Sequence, residues 1–168
     1  LLLIMSFTES NTVEDYILEQ LTGLNLNAPS SVLSEPEVTY GNLKWNYIPS
    51  DKLQREITEV LVEPELKRAL IRVNPEIAAQ HSRADEVIHR LRAILISVSL
   101  VGLVRANEDF AKWLKGEMTM PFGRDGEHVP VYLIDFNNPN NNSYITTNQF
   151  KIRARETKIP DIVLLING

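Results

Sequence analysis

The segment that most constrains the fold is Lys158-Ile159-Pro160-Asp161-Ile162-Val163-Leu164-Leu165-Ile166-Asn167-Gly168. Its central apolar run, β-branched or leucine and bounded by turn chemistry, predicts a buried strand. Pro160 has no N–H for a ladder and fits only where the strand begins. Asn167-Gly168 is a strong hairpin signal, because a type I′ turn needs positive φ at both central residues. The expected arrangement is a strand running into a hairpin whose second strand lies past residue 168. Asp161, at the mouth of the strand, is a candidate metal ligand; the competing reading is a surface aspartate flanking a core strand.

A chain of 168 residues can bury a real core, either as one domain or as part of a larger one. The absence of cysteine excludes a disulfide scaffold and thiolate metal sites, and fits a reducing cytoplasm. A net charge of −5 argues against a strongly basic nucleic-acid module but leaves room for a local patch. Leu1-Leu2-Leu3-Ile4 precedes Met5-Ser6 and is read as a non-native leader. It is too short and lacks the basic flank of a signal peptide. The apolar stretch 93–104 falls short of the roughly 20 residues a membrane span needs and is expected to be a core helix.

Near the N-terminus, Thr12 is an expected helix N-cap with Glu14 and Asp15 in the first turn. Val13, Ile17 and Leu21 repeat at i, i+4, i+8 with Leu18 beside them, and Gly23 supplies a stop. Spacing alone reads the acids Glu9, Glu14, Asp15 and Glu19 as a solvated face. Residues 25–50 are irregular, with a strand or hairpin around Gly41-Asn42 that puts Trp45 and Tyr47 on one face. Residues 50–116 read as helical. Pro64 opens one helix, Asn74-Pro75 breaks it, and Ser82 caps the next. That second helix repeats Ala84, Val87, Ile88, Leu91, Leu95 and Val98 at helical spacing. A third begins at Asn107-Glu108-Asp109, turns Phe110, Trp113 and Leu114 inward, and ends at Gly116. His81 and His89 lack the i, i+4 pairing of a zinc site.

After Gly116 the period becomes two. Strands are predicted over 128–136, 143–154 and from Pro160 onward, joined as an antiparallel meander. Lys151, Arg153 and Arg155 alternate on the second strand and form a basic ridge, a candidate DNA contact. The competing reading is the wet face of an antiparallel sheet. No phosphate-binding glycine loop and no Ser-His-Asp or Cys-His site can be assembled from these residues.

Five blocks in order carry a family resemblance: Met5-Ser6-Phe7-Thr8-Glu9 leading into Val13-Glu14; LKRALIRVNP at 66–75; Asn107-Glu108-Asp109-Phe110 followed by Lys115-Gly116; VYLIDFNNPNNNSYITTNQF at 131–150; and IPDIVLLING at 159–168. On these, the chain resembles the N-terminal endonuclease region of the R subunit of type I restriction-modification enzymes, of the PD-(D/E)xK nuclease superfamily. The resemblance implies an α+β, restriction-endonuclease-like core with a helical insertion, truncated before its last catalytic strand. It divides residues 5–168 into a first helix and irregular segment (5–49), the helical insertion (50–116) and a β-meander ending in the Pro-Asp strand (117–168).

The resemblance also implies Mg²⁺-dependent cleavage of double-stranded DNA. Asp161 would be the first metal carboxylate, and Glu14 the first-helix acid, with Glu9 as the alternative. ATP would bind outside these residues, and the partners would be the methyltransferase and specificity subunits in a prokaryotic cytoplasm, with no membrane. The acid-x-lysine pair of the superfamily would follow residue 168, so the 168-residue polypeptide is expected to be inactive. The rival expectation is a non-catalytic module that docks on DNA or protein through residues 50–116 and the basic ridge.

Overall fold

The computed structural model describes residues 13–24 and 45–168. The leader at 1–4, Glu9, the Thr12 cap and the turn at Gly41-Asn42 lie outside the described residues. The fold is mixed, with helices and small sheets, and of the α+β kind. It divides into two compact units: the described residues up to Val60 with Tyr144–Leu165, and Leu61–Ser143 with Ile166–Gly168.

In the first unit, helix α1 (Asp15–Thr22) packs on strands β1 (Asn46–Tyr47) and β4 (Tyr144–Asn148). β4 is the centre of a three-stranded sheet, parallel to β1 with Asn46 opposite Ile145 and Tyr47 opposite Thr146. Its other neighbour is β7 (Ile162–Ile166). Bonds from Gln149 N–H to Asp161 O (3.0 Å) and from Asn167 N–H to Ser143 O (3.0 Å) bracket that pair and make it antiparallel. β5 (Ile152–Arg153) and β6 (Thr157–Lys158) form a separate antiparallel hairpin. Trp45 meets Tyr144 edge-on, with ring centroids 5.2 Å apart, the packing role expected for it.

α1 corrects the expected apolar face. Val13 is 53% exposed and Ile17 38%, whereas Leu18 is fully buried and Glu14 is 6% exposed. Glu14 and Leu18 stand at i, i+4, so one face carries both inward. Burying Leu18 contributes about 2 kcal/mol. The carboxylate tolerates burial because it is hydrogen-bonded, as described below. Gly23 ends the helix as predicted, at φ 72° with its N–H on Glu19 O.

The second unit is helical: α2 (Glu63–Val73), α3 (Pro75–Ala79), α4 (Ser82–Val101) and α5 (Leu103–Leu114), followed by the short antiparallel pair β2 (Thr119–Met120) and β3 (Val129–Pro130). Leu66, Leu70, Ile77, Val87, Leu91, Trp113, Phe122 and Val131 are among its core residues. Pro64 sits in the first turn of α2 and Asn74 ends it, as their chemistry predicts.

Five expectations fail here. Ser82 does not cap α4: it is the first residue of that helix, and His81 stands at the N-cap. The apolar stretch 93–104 is not a core helix: Ile96, Leu100, Leu103 and Val104 are exposed, Leu100 by 89%. Gly102, at φ 83° and ψ 158°, breaks it into two helices. α5 therefore begins at Leu103, not Asn107, and its Leu114 faces outward. The strand at 128–136 shrinks to Val129–Pro130 and pairs with β2. Val131 and Leu133 are buried and Tyr132 exposed, so the period of two is real. Val131 N–H still reaches a backbone carbonyl, Met118 O at 3.0 Å, but past it the bonds go to side chains: Tyr132 N–H and C=O both bind the Asn74 amide (2.8 and 2.9 Å). Lastly, the strand over 143–154 breaks at Gln149, whose φ is 51°, so the meander is replaced by β4 pairing with β1 and β7 and by β5 pairing with β6. Among the described residues, no helix is long and apolar enough to cross a membrane.

Candidate functional site

Gln149 ends β4 in a left-handed conformation, and all its bonds within the first unit radiate from that turn. Its N–H reaches Asp161 O at 3.0 Å, and its carbonyl accepts the Ser50 hydroxyl at 3.2 Å. Its side-chain amide donates to both Glu14 carboxylate oxygens, at 3.0 and 3.2 Å. Phe150, the next residue, is buried and donates its N–H to Pro160 O at 3.1 Å. The Arg55 guanidinium lies 3.6 Å from the Phe150 ring centroid and donates to the carbonyls of Glu59 and Lys151, both at 2.6 Å. A single turn thus joins the first-helix acid to the mouth of the Pro-Asp strand.

The two predicted carboxylates differ in setting. Glu14 stands at the N-terminal end of α1 but makes no capping bond with its side chain. Its oxygens are held by a neutral donor, which orients the carboxylate without neutralising it. Asp161 is exposed and precedes the first residue of β7. Beside Glu14, the Tyr47 hydroxyl donates to Asn148 Oδ1 at 2.8 Å. Burial pushes the Tyr47 phenol pKa up, and the nearby Asp15, Asp51 and Glu14 carboxylates push it the same way. Among the described residues, no three acidic or histidine side chains converge on one point.

Lys151, Arg153 and Arg155 are all exposed but do not share one strand. Lys151 precedes β5, Arg153 lies in it, and Arg155 occupies the turn to β6. The same hairpin carries a Lys158–Glu156 ion pair at 2.9 Å.

Sequence reasoning missed Gln149. The one available signal was its place in Asn148-Gln149-Phe150, between a strand pattern and the basic ridge; period-two reading ran straight through it.

Residues 6–168 match the family described as the type I restriction enzyme R protein N terminus. The type I restriction enzyme HindI endonuclease subunit of Haemophilus influenzae is 30% identical over 140 residues, which cover 76% of this chain. The matched part spans 13% of that relative's length. No solved structure gives a significant match. Family match and relative agree with the order of the sequence motifs: the chain belongs to the family of type I restriction enzyme R protein N termini.

Proposed function

We propose that this chain is the nuclease region at the N-terminus of a type I restriction R subunit, with a restriction-endonuclease-like core. In this reading it hydrolyses phosphodiester bonds of double-stranded DNA with Mg²⁺, in an assembly with methyltransferase and specificity subunits and ATP-driven motor domains. The observation that carries the reading is the hydrogen-bonded connection from Glu14 through Gln149 to the Asp161 backbone. It links the two acids that the family resemblance selects, from segments far apart in sequence.

The donor set suits the ion. Mg²⁺ takes hard oxygen ligands and is commonly held by one or two carboxylates, with water and phosphate oxygens completing the shell. Glu14 and Asp161 are the residues that would hold it. When bound, the ion would supply Lewis acidity toward the phosphate and lower the pKa of a water. The chain's own part is to keep the Glu14 carboxylate oriented, and to leave Asp161 open to substrate. Lys151, Arg153 and Arg155 on the exposed hairpin would meet DNA phosphates.

The test is Asp161→Ala in the R subunit assembled with its partner subunits, with cleavage and ATP hydrolysis measured together. Loss of a residue that merely supports a metal ligand costs 10–100-fold, so loss of the ligand itself should lower cleavage by on the order of 100-fold or more. ATP hydrolysis should stay within about twofold. A parallel fall in both activities would mean that Asp161 serves folding and not the reaction. Glu14→Ala should also reduce cleavage; if Glu9→Ala does so and Glu14→Ala does not, the first-helix acid lies one turn earlier.

A further inference from the structure

We infer that Gln149 is a positioning residue for the nuclease carboxylates, fixing Glu14 and the opening of the Asp161 strand relative to each other. This rests on the nuclease reading above. Three observations carry it.

The first is conformational. Gln149 holds φ at 51°, where an L-residue other than Gly, Asn or Asp is uncommon and strained by roughly 1–2 kcal/mol. Glycine would make the same turn with less strain. What glutamine adds is a side chain, and that side chain is used: its amide reaches the two oxygens of a carboxylate that is only 6% exposed.

The second is the reach of the turn. With Gln149 left-handed, its own N–H binds Asp161 O at 3.0 Å, and the following N–H of Phe150 binds Pro160 O at 3.1 Å. These are the two residues that open the Pro-Asp strand. One residue therefore grips the acid-bearing helix with its side chain and the acid-bearing strand with its backbone.

The third is the choice of donor. A lysine or arginine in this place would hold Glu14 as firmly, but would neutralise it and compete with a cation for its oxygens. A primary amide fixes the orientation and leaves the charge. Outer partners of this kind hold metal-ligating carboxylates in place, and their loss typically costs 10–100-fold in metal affinity.

The experiment compares Gln149→Gly with Gln149→Asn in the assembled R subunit. Glycine keeps the left-handed backbone and removes the amide. Asparagine keeps the backbone preference and an amide, but is one methylene too short. Three quantities are read: the Mg²⁺ concentration giving half-maximal cleavage, Ca²⁺ affinity by calorimetry without DNA, and the thermal midpoint. Both variants should raise the half-saturating Mg²⁺ concentration at least about tenfold and weaken Ca²⁺ binding to a similar degree. Thermal midpoints should fall by no more than several degrees, since Gln149 itself is exposed and relief of its backbone strain offsets part of the cost of leaving the buried Glu14 without its amide. A half-saturating Mg²⁺ concentration and Ca²⁺ affinity both within twofold of the parent, whatever the midpoints do, would overturn the inference. Asp161→Ala separates the two levels: if it leaves cleavage and Ca²⁺ binding intact, the nuclease reading itself falls. If it abolishes both while the Gln149 variants change neither, only the positioning role falls.

Discussion

Two polar clusters in this molecule are built in opposite ways. The run Asp135-Phe136-Asn137-Asn138-Pro139-Asn140-Asn141-Asn142 in the second unit bonds largely to itself, with Arg72 donating to Asn141 O from outside at 2.6 Å. Asp135 accepts the N–H groups of Asn137 and Asn138 and the Asn141 amide, at 3.1, 2.8 and 3.1 Å. Asn142 returns bonds to Asp135 N–H and C=O, both at 2.8 Å. Asn167, 1% exposed, closes the set: its amide donates to Leu133 O and Asn142 Oδ1, and its oxygen accepts Ser143 N–H, all at 2.8 Å. In the Glu14–Gln149 pair of the first unit, both carboxylate oxygens are held by one neutral amide, which leaves the charge uncancelled in that bond. The contrast separates a closed clamp from the candidate site. The sequence block 131–150 that most specifically marks the family holds both, and its asparagines belong almost wholly to the clamp.

The sharpest way to break this comparison is Asn167→Ala. Three partners, the Leu133 and Asn142 oxygens and the Ser143 N–H, lose their bond, at about 1 kcal/mol or more each, and alanine must then occupy φ 63°. Destabilisation of about 4 kcal/mol should appear as a lower urea midpoint with an unchanged slope. Gln149→Gly, which takes the amide away from Glu14, should cost about half as much in the same assay, because relief of the left-handed backbone offsets part of the loss of one donor to the buried carboxylate. Equal costs for the two would erase the distinction.

A second, smaller effect is acid sensitivity. Asp135 has its pKa held below the ordinary 3.8, first by the Asn138 N–H, then by the Asn141 amide, with desolvation opposing and the Asn137 N–H adding the smallest share. A depressed folded pKa means that the unfolded chain takes up the proton first as pH falls. The bonds to the ionised carboxylate therefore stabilise the fold fully above the unfolded value, and this contribution is lost as pH drops through the folded one. Asp135→Asn should lower stability at pH 7, with the deficit shrinking below about pH 4. Chemical unfolding at pH 7, 4 and 3 reads this directly. A deficit that does not change with pH would show that shape, and not charge, makes Asp135 the hub.

How much of this was legible in sequence follows from which interactions are local. Gly23, Pro64 and Asn74 act within their own turn, and their effects were readable from residue type. Asn167-Gly168 also adopts the paired positive φ (63° and 93°) that its chemistry predicts. The face of α1 was misread because Glu14 is buried by a bond to a residue 135 positions away, which no periodicity contains. The strand over 128–136 had the right alternation, but Asn74 supplies the hydrogen bonds that a neighbouring strand would have supplied. The stretch 93–104 is apolar without being buried; composition sees hydrophobicity and not the turn at Gly102. The acids of the candidate site came from resemblance, and Gln149 from the structure alone.

The smallest expected effect is on DNA affinity, and it tests whether the hairpin belongs with the site or with solvent. Residues 151–158 carry four basic side chains and one acid, while the whole chain has net charge −5. The average field repels duplex, and only the local patch attracts it. If Lys151, Arg153 and Arg155 each meet a phosphate, the log–log salt slope should be near −2.7, at about −0.9 per contact. Binding should be weak and indifferent to sequence, with Kd around 10⁻⁴ M at physiological salt. Replacing all three with glutamine should abolish that binding and flatten its salt dependence. Because β5 holds only Ile152 and Arg153, the three cations do not sit on one rigid ridge. Arg155, in the turn, should therefore contribute least of the three when replaced singly. Fluorescence anisotropy with a labelled duplex across a salt series gives both slope and affinity. A slope unchanged by the triple replacement would assign whatever DNA binding the polypeptide has to another surface, leaving the hairpin as a solvated edge.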